Sequence, residues 1–187
     1  MHETLALGHV RSKGYQAVAI PYLGGELQFL VVLPEKQTSL AEVESRLTAE
    51  ALAEAGRGRV VAVNLRLPKF RVEPPTAPLR SVFCSLGMRS AFDEPAGSAD
   101  FSRMATRRPE DYLALSEVLH RATLCLDEAG TEASASTAGF TLGPGIASTR
   151  AEPIEFTVNR PFLFAIQHRT SGACLFLGRI RNPASDH

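Results

Sequence analysis

The stretch DEAGTEASAST at residues 127–137, continuing as AGFTLGPGIASTRAEP over 138–153, decides how the chain is interpreted. Between 130 and 139 every side chain is small except that of Glu132. Such a run has little apolar area to bury and lacks the period of an amphipathic helix, so it cannot build a core. The first interpretation is a surface loop. The second interpretation is a segment that is a loop in one state and a strand in another. It is favoured because Ser and Thr fit a packed sheet and because strand-like sequence flanks the run.

The chain around this stretch has 187 residues, zero formal net charge, 44% hydrophobic residues and 21% charged residues. This length is sufficient for one good core or two small ones. The balanced charge gives no reason to expect nucleic acid or an anionic membrane as a partner. No apolar run approaches the ~20 residues of a membrane-spanning helix, and residues 1–14 lack the pattern of a secretory signal.

Residue types that carry catalysis or bind metals occur without the spacing that such sites need. The three cysteines, Cys84, Cys125 and Cys174, lie far apart among apolar neighbours, which predicts buried, unreactive thiols. His120 falls inside a predicted strand and is interpreted as a hydrogen-bonded core residue. No G-x-S-x-G elbow, Walker loop or G-x-G-x-x-G motif occurs. The residues therefore predict no enzyme, no cofactor and no metal site.

Strand-like segments outnumber helical ones, and regular βαβ alternation is absent. This pattern predicts an α+β chain of mostly antiparallel sheets with a few short helices. A turn at Leu23-Gly24-Gly25 joins the first two predicted strands. A capping-box spacing at Ser39 and Glu42 marks the start of the first helix. The predicted strands cover 16–20, 26–33, 60–70, 115–127, 155–166 and 173–180, and the predicted helices cover 39–55 and about 79–86.

Several motifs, in order and in register, resemble the serpin family. Residues 128–137 resemble the hinge that begins the serpin reactive-centre loop, and FTVNRPFLF at 156–164 resembles the signature that follows the loop. FLGRIRNP at 176–183 is similar to the family's C-terminal ending. LPKF at 67–70, Phe92-Asp93 and Asp100-Phe101-Ser102 also match in order and spacing. The resemblance extends from His2 to Pro183.

The resemblance implies the C-terminal portion of one serpin domain over residues 1–187, with an exposed reactive-centre loop at about 128–153. A serpin is a suicide inhibitor of serine proteases: the protease cleaves the loop, which then inserts as a strand into the large sheet. Insertion requires small side chains, since bulky ones would obstruct packing between two strands. Glu132 matches the family pattern, and alternation places it on the solvent face. The implied hinge residues are Glu128, Gly130, Thr131, Glu132, Ala133, Ser134, Ala135, Ser136 and Thr137.

The scissile bond has alternative positions. Counting back from the NRPF signature gives Arg150-Ala151, and an Arg at that position suits a trypsin-like protease whose pocket carries a carboxylate. Counting forward from Glu128 leads to the neighbourhood of Leu142, with Ile146 as a further apolar alternative. The two counts disagree because the loop is longer than the usual family pattern.

The resemblance also implies structural roles. Lys69 and Glu128 match a pair that bridges the top of the large sheet, and His120 matches a residue that helps to hold that sheet closed. Asn159, Pro161 and Phe162 belong to the signature. The family's N-terminal half has no counterpart, so the 115–127 strand is expected to have an open edge, which favours self-association.

The predicted function is serpin-type inhibition of a serine protease, impaired in a chain without the other half. The alternatives are a non-inhibitory serpin-like binding module and an inactive fragment. The family resemblance suggests an extracellular protein, whereas residues 1–14 show no signal peptide, which leaves the cytoplasm open.

Overall fold

A computed structural model describes residues 2–126 and 152–183 of the chain. The chain divides into two compact units, one within Met1–Arg71 and Cys125–His187 and the other comprising Val72–Leu124. The strands are, in chain order, β1 (His2–Ser12), β2 (Tyr15–Pro21), β3 (Leu27–Pro34), β4 (Arg59–Arg66), β5 (Phe70–Val72), β6 (Ala77–Pro78), β7 (Leu119–His120), β8 (Leu124–Leu126), β9 (Ile154–Thr157), β10 (Phe162–His168) and β11 (Cys174–Ile180). The helices are α1 (Leu40–Arg46), α2 (Ala49–Ala55), α3 (Arg80–Ser85) and a 3-10 turn at Ser90–Phe92.

A seven-stranded sheet organises the first unit, with the strand order β11-β10-β3-β2-β1-β4-β9. Its neighbouring strands are antiparallel, except that β9 runs parallel to β4. Two small sheets pair β5 with β8 and β6 with β7. The predicted class, α+β with mostly antiparallel strands and a few short helices, is confirmed.

The centre of the large sheet is apolar on both faces. Along β3, Leu30, Val31 and Val32 have no exposed surface. Because successive strand residues point to opposite faces, Leu30 and Val32 face the helices while Val31 faces the other way. The two helices cover one face through a cluster of Ala17, Ala19, Leu30, Val32, Val43, Leu52, Ala55, Leu163 and Ala165.

The predicted helix at 39–55 is two helices with a cap each. The Ser39 hydroxyl accepts from the Glu42 backbone N–H at 3.2 Å, as the capping box predicts. A second cap follows at Thr48, whose hydroxyl accepts from the Ala51 N–H at 3.2 Å. Leu47 and Thr48 have extended backbones, so the chain turns there before the second helix begins.

The turn between β2 and β3 forms as predicted, because Gly24 and Gly25 have positive φ angles of 86° and 72°. Three predicted strands, in contrast, are wrong in their extent. The 60–70 strand ends at Arg66, and Phe70 begins a separate strand. The 155–166 segment is two strands, β9 and β10, which pair with different neighbours on either side of Pro161.

The predicted 115–127 strand was the largest overestimate. Within the described part of this segment only Leu119–His120 and Leu124–Leu126 are strand. A strand extends only as far as a neighbour continues its hydrogen bonds. Leu119 pairs opposite Pro78, which has no N–H to donate, so the β6–β7 ladder stays two residues long.

In the Val72–Leu124 unit, polar contacts converge on one carboxylate, and Phe92 and Ala99 are buried. Asp93 accepts from the Tyr112 hydroxyl at 2.7 Å and from the Ala99 N–H at 3.1 Å. The Arg107 guanidinium lies 5.1 Å from the centre of the Tyr112 ring. Unlike the large sheet, helix α3 of this unit buries no residue completely.

The burial of the cysteines differs from the expectation. Cys125 and Cys174 are exposed and Cys84 is half-buried, so the prediction of buried thiols is wrong. Apolar neighbours in sequence do not bury a thiol when their strand lies at a sheet edge, as β11 does.

Across residues 2–126 and 152–183, no helix is long and apolar enough to cross a membrane, and no group of three potential metal ligands occurs.

Candidate functional site

The candidate site is the segment between β8 and β9, together with the residues that fix its two ends. The predicted hinge and scissile residues lie outside the described residues: Glu128, Gly130, Thr131, Glu132, Ala133, Ser134, Ala135, Ser136, Thr137, Leu142, Ile146, Arg150 and Ala151. The described chain resumes at Glu152 and Pro153, which are both exposed. The geometry of the site is therefore the geometry of its two anchors.

The N-terminal anchor is β8, which forms a two-stranded sheet with β5. Lys69 lies directly before β5 and is exposed. Its expected partner Glu128 falls outside the described residues, so the Lys69–Glu128 bridge stays a prediction. Among the described residues, β8 has one neighbouring strand in this sheet, β5, and its other side has none.

An aromatic cluster holds β5 against the large sheet. The Phe70 ring lies 5.7 Å from Phe162 in an edge-on contact and 5.6 Å from Phe164, between ring centroids. Phe29 of β3 stacks on Phe164 at 5.7 Å. Such contacts contribute about 0.5–1.5 kcal/mol per pair beyond the area they bury. Two motifs that are far apart in sequence, LPKF and NRPF, thus meet in one core.

The C-terminal anchor is β9, which adds to the sheet beside β4. Phe156 is 1% exposed and packs in the core. The Asn64 side-chain amide donates to the Glu155 carboxylate at 2.6 Å, and the Val158 N–H donates to the Arg66 carbonyl at 2.8 Å. Backbone and side-chain bonds therefore fix the chain just after residue 151.

Arg160 connects this anchor to the end of β3. Its Nε donates to the Pro34 carbonyl oxygen at 2.7 Å, and its Nη1 donates to the Asn159 side-chain oxygen at 3.3 Å. Burial lowers the pKa of Arg160, and the nearby Glu35 carboxylate partly offsets this effect. Arg160 belongs to the NRPF signature, but neither its contact with Pro34 nor the Asn64–Glu155 contact was predicted from the sequence. No local pattern indicates contacts between strands so far apart along the chain.

The remaining predicted structural residues differ in burial. Phe162 is completely buried, whereas Asn159 and Pro161 are exposed. His120 is exposed on β7, opposite Ala77, so its interpretation as a core histidine is wrong. The physical reason is that β7 pairs with β6 in a two-stranded sheet, which leaves little to cover a side chain.

The comparisons with known proteins agree on one family. The family model described as "Serpin (serine protease inhibitor)" matches residues 1–183. Serpin B6 of Macaca fascicularis is 38% identical over 171 residues, which cover 90% of this chain and 43% of that protein. Serpin B10 of Papio anubis is 36% identical over 187 residues, which cover 98% of this chain and 44% of that protein.

Among solved structures, the native state of tengpin, a thermophilic serpin, superposes with a TM-score of 0.75 at 28% identity. The match covers 97% of this chain and 45% of tengpin. The chain thus spans less than half the length of the relatives it matches.

Proposed function

The chain belongs to the serpin family and corresponds to its C-terminal part, and from this premise we propose that it acts as a serpin-type serine protease inhibitor. The observation that carries the proposal is the small-residue segment between two anchors, β8 in a two-stranded sheet and β9 at the edge of the seven-stranded sheet. We propose that a protease cleaves this segment while β8 and β9, on either side of it, stay in the fold.

The proposed mechanism is cleavage followed by strand insertion. The protease serine attacks a loop carbonyl, the scissile peptide bond breaks to release the amine of the following residue, and the acyl-enzyme remains. The N-terminal part of the loop then adds beside β8. Loop insertion of this kind is an established form of strand addition in serpins. Gly, Ala, Ser and Thr side chains at 130–137 support the step, because they need little space between packed strands.

For the loop to insert next to β8, a second strand must also lie on the other side of the inserted loop. Within residues 2–126 and 152–183, the small sheet supplies β5 on one side of β8 and no strand on the other. We therefore propose that the 187-residue chain alone inhibits poorly and is cleaved mainly as a substrate. The open side of β8 would also accept a strand from a second copy, so we propose self-association at this edge.

Arg150-Ala151 is the proposed scissile bond, and a trypsin-like serine protease is the proposed partner. The Arg150 side chain would pair with a carboxylate in the specificity pocket of the protease. Leu142 and Ile146 stay as alternative positions for a protease with an apolar pocket. The extracellular location also stays a proposal, to be tested by comparing secreted and cell-associated protein.

The deciding experiment mixes the chain with trypsin and follows the products by SDS gel and mass spectrometry. We expect a cleaved chain with a new N-terminus at Ala151, and a minor SDS-stable adduct that joins the protease to residues 1–150. Arg150→Ala should abolish both products, and Arg103→Ala, at an exposed arginine of the Val72–Leu124 unit, should leave them unchanged. Cleavage without any adduct would make the chain a substrate only and would reject trapping by this chain.

A further inference from the structure

A cavity of about 400 Å³ lies beside the C-terminal anchor, within the unit that contains the large sheet. Leu33 and Phe156, near the ends of β3 and β9, form its apolar floor and are 2% and 1% exposed. Lys36 and Arg160 contribute positive charges and Glu155 contributes a negative one. Its volume falls in the range of roughly 300–1,000 Å³ that is typical of small-molecule sites. We call it the Arg160 cavity.

The guanidinium of Arg160 is held in place rather than free to rotate. Its bonds to the Pro34 carbonyl and the Asn159 amide oxygen use neutral acceptors, which orient the group without neutralising its charge. Among the described residues no carboxylate lies within ion-pair distance of Arg160. A fixed, partly buried cation at a cavity wall is a preorganised partner for an anion, because little side-chain entropy is lost on binding.

The charged side chains that line the cavity, Lys36, Arg160 and Glu155, sum to one net positive charge. Glu155 already accepts a hydrogen bond from Asn64 at 2.6 Å. Glu35, which faces Arg160, pairs with Arg11 at 3.0 Å. Lys36 is exposed and makes no ion pair within the described part of the chain. The lining therefore contains two cations and one carboxylate, which favours a ligand with a single negative charge.

We propose that the Arg160 cavity binds a small organic monoanion, an aromatic carboxylate in chemical class, with its carboxylate between Lys36 and Arg160. The ring lies over the floor of the cavity, where Leu33 and Phe156 present a small apolar area because both side chains are almost completely buried. Glu155 disfavours a dianion such as phosphate, since a second negative charge would face its carboxylate. The proposal concerns this cavity alone and does not depend on protease inhibition.

Ligand binding at this position is expected to stabilise the fold around the loop's C-terminal anchor. A ligand that binds the folded chain and not the unfolded chain raises the free energy of unfolding, and above Kd the gain grows with the logarithm of the free ligand concentration. Thr157 and Asn159 line the same cavity as Arg160, and both belong to the segment that leads from β9 into β10. Amide NMR signals of this segment therefore report directly on occupancy.

The test titrates the full chain with 2-naphthoate, using neutral 2-naphthamide as the matched ligand control. Binding is measured by calorimetry and by amide shifts in ¹H–¹⁵N NMR spectra. We expect saturable binding of the acid, shifts at 155–160, and at least ~10-fold weaker binding of the amide. Lys36→Gln and Arg160→Gln should each weaken binding of the acid by about 5-fold or more, whereas Arg103→Gln should not.

Lys36→Gln keeps the test decisive if Arg160→Gln perturbs the fold, because Lys36 is an exposed side chain without an ion pair in the described residues. Three results would overturn the proposal. One is the absence of saturable binding up to about 5 mM acid. Another is equal affinity for acid and amide, and the third is a set of shifts confined to the exposed apolar residues Leu175–Leu177 of β11.

Discussion

Two glutamines, Gln28 and Gln167, are the buried polar side chains among the described residues. The Gln28 amide donates to the Gln167 side-chain oxygen at 3.2 Å and to the Gly56 carbonyl at 2.9 Å. Gln167 in turn donates to the Leu52 carbonyl at 2.9 Å. Together they satisfy carbonyl groups at the C-terminal end of α2 and so fix this helix on the sheet.

We predict that Gln167→Leu lowers the free energy of unfolding by about 1–3 kcal/mol. The leucine cannot accept from Gln28 or donate to Leu52, so buried polar groups lose partners that water cannot replace. Urea unfolding monitored by circular dichroism measures the change. Gln37→Leu, at an exposed position, is the control and should stay within about 0.5 kcal/mol of the wild type. A loss no larger than that of the control would show that the pair is energetically neutral.

Asp93 is the second residue whose environment makes a measurable prediction. It has a positive φ of 60°, which Asp tolerates better than most residues. The Tyr112 hydroxyl and then the Ala99 N–H hold the pKa of Asp93 below its ordinary value. The resulting stabilisation is fully present above the ordinary pKa of about 4 and is lost as the pH falls from there through the lowered value.

Tyr112→Phe should therefore raise the pKa of Asp93 and make the stability difference from the wild type shrink below about pH 4. The ring remains, so the contact with Arg107 is retained while the bonds of the hydroxyl to Asp93 and to the Gly97 N–H are lost. NMR titration of the Asp93 carboxyl measures the pKa, and urea unfolding at several pH values measures the stability. Tyr22→Phe is the control, since burial rather than a carboxylate raises the pKa of Tyr22. A stability difference independent of pH would contradict the assignment.

At the scale of elements, the β10–β11 hairpin depends on one close approach. A Cβ atom added at Gly178 would clash with Cζ of Phe164, the cross-strand partner of this glycine. The Phe164 ring has little room to move, because it packs on Phe29 and Phe70. Gly178 is therefore required for packing.

We predict that Gly178→Ala destabilises the chain by about 1–3 kcal/mol through overpacking. Adding Phe164→Leu removes the ring atoms that clash, so the double variant should be less affected than the sum of the two single variants. Thermal and urea unfolding of all four proteins give the coupling energy. Strict additivity would mean that the methyl group is accommodated elsewhere.

The start of α1 and a tight turn were predicted from local sequence, whereas the extent of several strands was not. Ser39 and Glu42 predicted the start of α1, and Gly24 with Gly25 predicted the β2–β3 turn, because caps and turns act over a few residues. The break at Thr48 was not predicted, although Thr is itself a good N-cap. The 115–127 segment has strand-like composition but forms strand over two short pieces, since strands need neighbours as well as propensity.

At the scale of the whole molecule, two strands, β11 and β8, each have a side without a neighbouring strand among the described residues. Leu175, Phe176 and Leu177 are exposed on β11, at one edge of the seven-stranded sheet. In the small sheet, β8 has β5 on one side and no described neighbour on the other. Unpaired strand edges are sites where another strand adds.

We predict that cleavage after Arg150 changes the melting temperature of the 187-residue chain by less than about 4 °C, because one inserted strand would lack its second neighbour. Differential scanning calorimetry of intact and trypsin-cleaved protein measures the change. Arg150→Ala, treated with trypsin in the same way, controls for cuts elsewhere in the chain. A gain of tens of degrees would show that the loop inserts in this chain without further strands.

The sequence by itself determined the α+β class, the family and the positions of β2, β3 and β11, because alternation, caps and motifs are local patterns, whereas β1 fell in no predicted strand. It also indicated a long small-residue segment between two strand-like regions. Only the tertiary structure decided that residues 155–166 divide into β9 beside β4 and β10 beside β3, and that Arg160 reaches the end of β3. Pairing partners are chosen by hydrogen bonds and burial between residues far apart in the chain, and no local pattern records that choice.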